Sequence, residues 1–373
     1  MKPEEFRQVY DLIALDDEAD CRILSGISVK NDYRGINMKN RSNKRKYAKA
    51  AVAAGVAILA VGSGAYAASL AWNANVAERF GVKDQKEMMQ ELSDKGFSKK
   101  LGSENTAGSR EDGAGITGEV LSVTDKDITV TVRQTLADEN FGYVYYEVEY
   151  GEEYTPVVDG ADELSDYGIA WPAPQLTTDG TLNYSGRVMK VINDHKVGYE
   201  FFFGFSDHEQ TFHDNVMNMK IQYFYMDKEK ADASPERIAE GDWSLSWKLS
   251  NGTQKRVYQI DKTVKIDGMD MHFEKLEISP LSCKVYVSTK DKKYMKLSGK
   301  MDEPCLGKLQ CGKKAFQGNG GGGYTSPKRE KNGKTSIVEQ KVFDKILDLE
   351  ALTGFYFGSR LISLEDVEYT VEE

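Results

Sequence analysis

From Ala50 to Trp72 the chain runs without a charged side chain, AAVAAGVAILAVGSGAYAASLAW, and cations crowd the residues just before it. As a helix rising ~1.5 Å per residue, such a run is long enough to cross roughly 30 Å of hydrocarbon. Lys39, Arg41, Lys44, Arg45, Lys46 and Lys49 stand on its N-terminal side, whereas Glu78, Arg79, Lys83, Asp84, Lys86 and Glu87 mix both signs beyond it. The positive-inside rule then predicts one transmembrane helix over 47–72 in the cell membrane. Arg41, Lys44, Arg45, Lys46 and Lys49 orient it, with the N-terminus cytoplasmic and the bulk of the chain extracytoplasmic. A buried helix of a soluble fold has no use for a cationic collar on one side only. Val52, Val56, Ile58, Leu59, Val61 and Leu70 are the strongly apolar residues of the run, so its insertion is marginal. Ala65-Tyr66-Ala67 has the small-x-small form of a signal-peptidase site, but the long tail ahead of it favours retention as an anchor. Small residues at Ala51/Gly55 and Gly64/Ala68 allow two such helices to approach, a spacing that also arises by chance in an Ala-rich run.

The tail, residues 1–46, carries two amphipathic patterns. Pro3, Glu4 and Glu5 suit a helix first turn, and Phe6, Val9, Tyr10 and Ile13 then recur on one helical face. Asp16 can cap a second helix with Asp17 and Glu18 in its first turn, Ile23, Leu24 and Ile27 on its apolar side, and Gly26 weakening its end. Residues 28–46 read as a polar, basic linker. Two helices this short cannot bury their apolar faces against each other well enough to offset their ordering entropy, so they call for a partner or the membrane.

Residues 73–115 read as a juxtamembrane helix and a flexible linker. Asp84-Gln85-Lys86-Glu87 fits a capping pattern, Met88, Met89 and Leu92 follow, and Gly96 is placed to stop the helix. From Gly102 to Gly115 hardly an apolar residue occurs. Beyond it, short alternating segments dominate: Val120–Val123, Ile128–Val132, Val144–Tyr150, Phe201–Phe205, Ile221–Tyr225 and Leu245–Leu249. Asp179-Gly180 and Asp267-Gly268 have the composition of type I′ hairpin turns. A break near Ser250-Asn251-Gly252 separates two strand sets. The predicted fold class is mainly β, with antiparallel sandwich-like units at 116–250 and 253–373 and a flexible insertion at 319–323.

Chemistry is sparse. His195, His208, His213 and His272 are the histidines, and His208 and His213 stand five apart, a spacing that points them away from each other on a zinc helix. No nucleophile elbow, Walker loop or spaced Cys pairs occurs, and the glycines at 320–323 lack the Lys-Ser or Lys-Thr of a phosphate cradle. No enzyme, metal or cofactor is expected. The aromatic runs FGYVYYEVEY and EFFFGF are read as core filling. A net charge of -10 argues against direct nucleic-acid binding. Cys21 falls in the reducing compartment; Cys283 reads as a small core residue. Cys305 and Cys311 bracket the short LGKLQ loop and could either bridge or stay as thiols.

The order of these parts, with KRKYAKAAVAAGVAILAVGSGAYA followed by VLSVTDKDITVTVRQTLADENFGYVYYEVEY, resembles a group of single-pass proteins of Gram-positive bacteria. They are built around a domain of unknown function and assigned as candidate anti-sigma factors. GDWSLSWKL, the Tyr258–Asp261 stretch and EKLEISPLSCKVYV are similar to the immunoglobulin-like domain that often closes them. The resemblance implies a regulator whose tail sequesters a sigma factor of the extracytoplasmic-function type, while its outer domains sense the envelope or an extracellular ligand. Phe6, Val9, Tyr10, Ile13, Ile23, Leu24 and Ile27 are then the partner-facing residues. The tail has no His-x3-Cys-x2-Cys motif, so the zinc-binding class of anti-sigma domains is not matched. The alternative is a surface-anchored binding or adhesive protein without a signalling role.

Overall fold

The computed structural model describes residues 72–101, 119–154, 170–207, 209–226, 235–250, 252, 254–297, 304–318 and 323–372. The tail, the basic cluster and the charge-free run up to residue 71 lie outside the described residues, as do the Gly-rich stretches 102–118 and 319–322. Among the described residues no helix is long and apolar enough to cross a membrane.

Two short helices come first, α1 (Ala74–Arg79) and α2 (Lys86–Asp94). Asn73 caps α1, its side chain accepting from the Asn75 amide. The expected cap on α2 is absent: Gln85, not Asp84, is the N-cap residue, and it makes no side-chain cap bond. The stop is as expected, because Gly96 takes φ +78° and the Phe97 amide returns to the Leu92 carbonyl, closing the last turn.

Strands follow in two groups. The first holds β1 (Ser98–Lys100), β2 (Ser122–Asp125), β3 (Ile128–Ala137), β4 (Gly142–Tyr150), β5 (Ala170–Thr177), β6 (Leu182–Asn193), β7 (Lys196–Phe205), β8 (Val216–Met226) and β9 (Glu236–Lys248). They form one sheet in the order β1-β3-β4-β7-β6, with β2 also paired to β3, and a second in the order β5-β8-β9. The other group holds β10 (Lys255–Ile266), β11 (Met269–Ile278), β12 (Ser282–Thr289), helix α3 (Lys292–Leu297), β13 (Leu306–Cys311), β14 (Lys314–Ala315), β15 (Gly323–Arg329), β16 (Thr335–Val342), β17 (Leu352–Phe357), β18 (Arg360–Ser363) and β19 (Tyr369–Glu372). Its sheets run β15-β16-β12-β11-β10-β19 and β14-β13-β17-β18. The named strand pairs are antiparallel, so the chain is mainly β.

Each pair of sheets shares one buried apolar cluster. In the first, Val130, Val144 and Tyr146 meet Met217, Ile221 and Trp247, and Trp243 of β9 ties the two sheets by donating its indole N–H to the Ile128 carbonyl at 2.8 Å. In the second, Phe273 of β11 packs edge-on against Phe355 and Phe357 of β17.

Strand β4 explains the aromatic run that ordinary alternation does not. Val144, Tyr146, Val148 and Tyr150 face the core between the sheets, while Tyr143 and Tyr145 face the cluster built on α1 and α2. A strand covered on both faces reads as a near-continuous apolar stretch. The aromatics therefore fill core, as expected from the sequence.

Turn chemistry was half legible. Asp267 and Gly268 take φ +49° and +84° between the paired Ile266 and Met269, the hairpin expected. Asp179-Gly180 is corrected: it joins β5 to β6, which belong to different sheets, so it is a corner and not a hairpin. Lys126-Asp127, at φ +48° and +55°, makes an unforeseen two-residue hairpin between Asp125 and Ile128.

Of the two alternatives left open for Cys305 and Cys311, the structure has the thiols. Both are thiols, Cys305 exposed and Cys311 half-buried. Cys305 directly precedes the strand that ends at Cys311, and six residues of extended chain span about 20 Å, far beyond the ~7 Å limit between bridged Cα atoms.

Candidate functional site: a helical dock beside the charge-free run

The described chain begins at Trp72, where the charge-free run ends, and it begins buried. Trp72 inserts its ring beneath α2 and donates its indole N–H to the Met89 carbonyl and to Ser93 Oγ, both at 3.0 Å. With Val76, Phe80, Met89, Leu92 and Phe97 it builds a third apolar cluster, which also takes in Tyr143 and Tyr145 of β4 and Leu281 and Ile346 of the second strand group. The helices thus rest on both groups at once.

Polar ties fix their position. Arg79, in the last turn of α1, sets its Nε 3.2 and 3.1 Å from the two carboxylate oxygens of Glu200 on β7 and donates through Nη1 to the Asp344 carbonyl at 3.0 Å. Glu200 is 1% exposed, and Arg187 on β6 supplies a second Nε at 2.5 Å. Both guanidinium groups lie over the Phe202 ring, at 5.5 and 5.8 Å from its centroid. Burial first, then the nearby Glu200 charge, pushes the Tyr143 hydroxyl far above its ordinary pKa, so it stays neutral beside the pair.

A second tie starts at Asn73, whose amide donates to Gln134 Oε1 at 2.6 Å while Gln134 Nε2 reaches Ser98 Oγ at 2.7 Å. A third runs from Asn75 Nδ2 to the Tyr145 hydroxyl at 3.0 Å and on to Glu147 at 3.2 Å, a carboxylate also held by Arg133 at 2.8 Å. The two strand groups are bolted beside this dock. Asp138, buried after β3, accepts from Ser279 Oγ and Ser282 Oγ at 2.5 and 2.6 Å and from the Asn140 and Phe141 amides at 2.8 Å.

This arrangement has no nucleophile–base pairing. Among the described residues no group of three or more His, Cys, Asp or Glu side chains is placed to hold a metal ion. What it can do is mechanical: a segment entering at Trp72 is fastened to the first strand group by an ion pair costly to break and to the second by a hydrogen bond and apolar packing.

The expected partner-facing residues Phe6, Val9, Tyr10, Ile13, Ile23, Leu24 and Ile27, and the orienting residues Arg41, Lys44, Arg45, Lys46 and Lys49, lie outside the described residues. The dock itself escaped the sequence reading, which took Arg79 as one of several mixed charges. A signal was present in Glu200, a lone carboxylate inside YEFFFGF, since a charge in so apolar a strand needs a buried partner.

Comparison with known proteins adds the following. No curated protein matches the chain. A crystal structure of a conserved domain protein from Bacillus anthracis is similar at 13% identity with a TM-score of 0.42, covering 69% of this chain and 89% of that one. The N-terminal periplasmic domain of ScsB from Proteus mirabilis follows at 10% identity and a TM-score of 0.20, covering 67% and 96%. Neither likeness is close enough to transfer a role. The family comparison is more informative, because it places a domain of unknown function, DUF4179, at residues 39–150 of this chain, from the basic cluster to the last residue of β4.

Proposed function

We propose that this chain is a single-pass membrane regulator, an anti-sigma factor whose cytoplasmic tail holds an extracytoplasmic-function sigma factor. Its two sandwich-like outer units, the second immunoglobulin-like, face the envelope. The observation that carries this reading is the Arg79 tie. The segment directly following the charge-free run is clamped by an ion pair to the first strand group and by a hydrogen bond to a backbone carbonyl of the second. An adhesin held on a passive stalk has no need of such a clamp, whereas a relay needs a fixed connection between the outer units and the spanning helix.

The DUF4179 match supports the same view, since it covers the basic cluster, the charge-free run, helices α1 and α2 and strands β1–β4 as one unit. In this reading Phe6, Val9, Tyr10, Ile13, Ile23, Leu24 and Ile27 fold against the sigma factor, their apolar burial offsetting the entropy of ordering the tail. The signal reaches them as a change in the dock or as proteolysis of the anchor.

The test is to express residues 1–46 with an affinity tag in the native host beside a variant carrying Val9→Asp, Ile13→Asp and Leu24→Asp. The reading expects a stoichiometric sigma factor with the first and none with the second. Absence of a specific partner from both sinks it and leaves a surface-anchored binding protein.

A further inference from the structure

A cleft of about 600 Å³ opens where the two strand groups meet. One side consists of loops of the first group, Glu139 and Asn140 between β3 and β4 and Glu209 and Thr211 between β7 and β8. The other is the outward face of the β15-β16-β12-β11-β10 sheet, where Lys284 and Tyr286 alternate with the inward Cys283 and Val285. Its size lies within the ~300–1,000 Å³ typical of small-molecule sites.

The lining limits the chemistry. Carboxylates from Glu139, Glu209, Glu277 and Glu330 stand among ammonium groups from Lys255, Lys284 and Lys328. Carboxylates in slight excess disfavour a polyanion such as a nucleotide. Val338 is the aliphatic side chain among the lining residues, so the apolar surface comes mainly from the stems of charged and polar side chains, each ending in a polar group. Tyr286 is the aromatic one, and the Lys275 ammonium already sits 4.4 Å from its ring centroid, which removes a stacking face a sugar would use.

Some of these charges are already matched. Lys255 takes Glu139 at 2.8 Å and Glu372 at 3.2 Å, and Glu277 takes Lys275 at 2.5 Å and the Tyr286 hydroxyl at 3.2 Å. Lys284 lies on the floor, 3% exposed. The side chains of Glu209 and Lys328 are exposed and make no hydrogen bond or ion pair among the described residues. A carboxylate from the first group and, from the second, an ammonium that feels Glu330 only through space and is held by no hydrogen bond complement a ligand that bears one charge of each sign.

We infer that this cleft binds a small zwitterion, a short peptide with a free amino and a free carboxyl end, its ammonium toward Glu209 and its carboxylate toward Lys328. Such a ligand touches the Asp138–Phe141 loop. Phe141 in turn stacks on Phe202 at 5.9 Å, beneath the Arg79 guanidinium. Occupancy of the cleft is thereby linked to the dock. This sensing role rests on the regulatory reading above; the binding does not.

The test uses the full chain in detergent micelles, titrated calorimetrically with trialanine, with N-acetyl-trialanine amide, with inorganic phosphate and with maltotriose. The expected result is saturable binding of trialanine, at least about ten-fold weaker for the blocked peptide. Glu209→Gln and Lys328→Gln are each expected to weaken trialanine about ten-fold, the loss of one charged hydrogen bond. Both side chains are exposed, so folding is not at issue. No saturable binding of trialanine, equal binding of the blocked form, indifference to both variants, or binding of phosphate or maltotriose in its place each overturns the inference. Failure here with a sigma factor still held by the tail leaves the regulator standing, and the converse result leaves the cleft standing.

Discussion

Half-buried Arg79 and buried Glu200 form an ion pair, with the guanidinium Nε within 3.2 Å of both carboxylate oxygens, that joins the first helix after the charge-free run to strand β7. A buried pair adds little net stability over an apolar contact, but removing Arg79 leaves the buried Glu200 to Arg187 alone, whose side chain is largely exposed.

Arg79→Ala is therefore expected to destabilise the folded region by about 1–3 kcal/mol, the range for losing hydrogen bonds to a charged group. Arg79→Lys should recover only part of this, since a single ammonium cannot both span the carboxylate and reach the Asp344 carbonyl. Denaturant unfolding of the full chain, followed by tryptophan fluorescence, reads both. An Arg79→Ala variant as stable as the wild type contradicts the assignment.

Asp138 gives a pH-dependent signature. Burial raises its carboxyl above the ordinary range, against the opposing hydrogen bonds from Ser279, Ser282 and the Asn140 and Phe141 amides. A group whose pKa is higher folded than unfolded contributes stability that is complete below its unfolded value and lost as pH rises through its folded value. Relative to Asp138→Asn, which does not titrate, the wild type should lose stability as pH climbs from about 4. Thermal unfolding of both forms across this range checks the sign; a relative gain with rising pH refutes it.

Gly198 faces the third tie. A Cβ there falls 2.5 Å from the Tyr145 hydroxyl, the group that accepts from Asn75 and donates to Glu147. Gly198→Ala should displace Tyr145 and lower stability by about 1–3 kcal/mol, the usual range for overpacking. Adding Tyr145→Phe removes the nearest atom but leaves ring carbons at 2.8 and 3.0 Å and forfeits the bonds to Asn75 and Glu147, so the double variant should stay below the wild type. Equal stabilities for all three forms would argue against this close approach.

Thiol labelling separates the cysteines. Cys305 is exposed and should react with maleimide in the folded protein without prior reduction. Cys283 is buried, its thiol pushed up to about 12, and should react only after unfolding. Mass spectrometry of labelled peptides reads both outcomes, and a bridged Cys305–Cys311 peptide would count against the extended strand between them.

The strands were legible because enrichment in aromatic and β-branched residues and turn composition are local: VYYEVEY, the segment around Phe201–Phe205 and the Asp267-Gly268 hairpin announce themselves within a few residues. The dock was not, because Arg79 and Glu200 are remote in sequence and meet only once α1 lies across β7. Asp179-Gly180 misled for a related reason. Its composition permits a hairpin, but which sheet each flanking strand joins is decided by the burial of distant side chains such as Met219 and Phe201. The state of Cys305 and Cys311 was not legible because proximity in sequence becomes separation once the residues between them extend.

The most direct test purifies the tagged full chain from native-host membranes in three forms: wild type, the tail variant with Val9, Ile13 and Leu24 changed to Asp, and Arg79→Ala. The account predicts a sigma factor with the wild type, its loss from the tail variant, and a several-fold change in its amount with Arg79→Ala. The same set of proteins recovered with all three forms would contradict it.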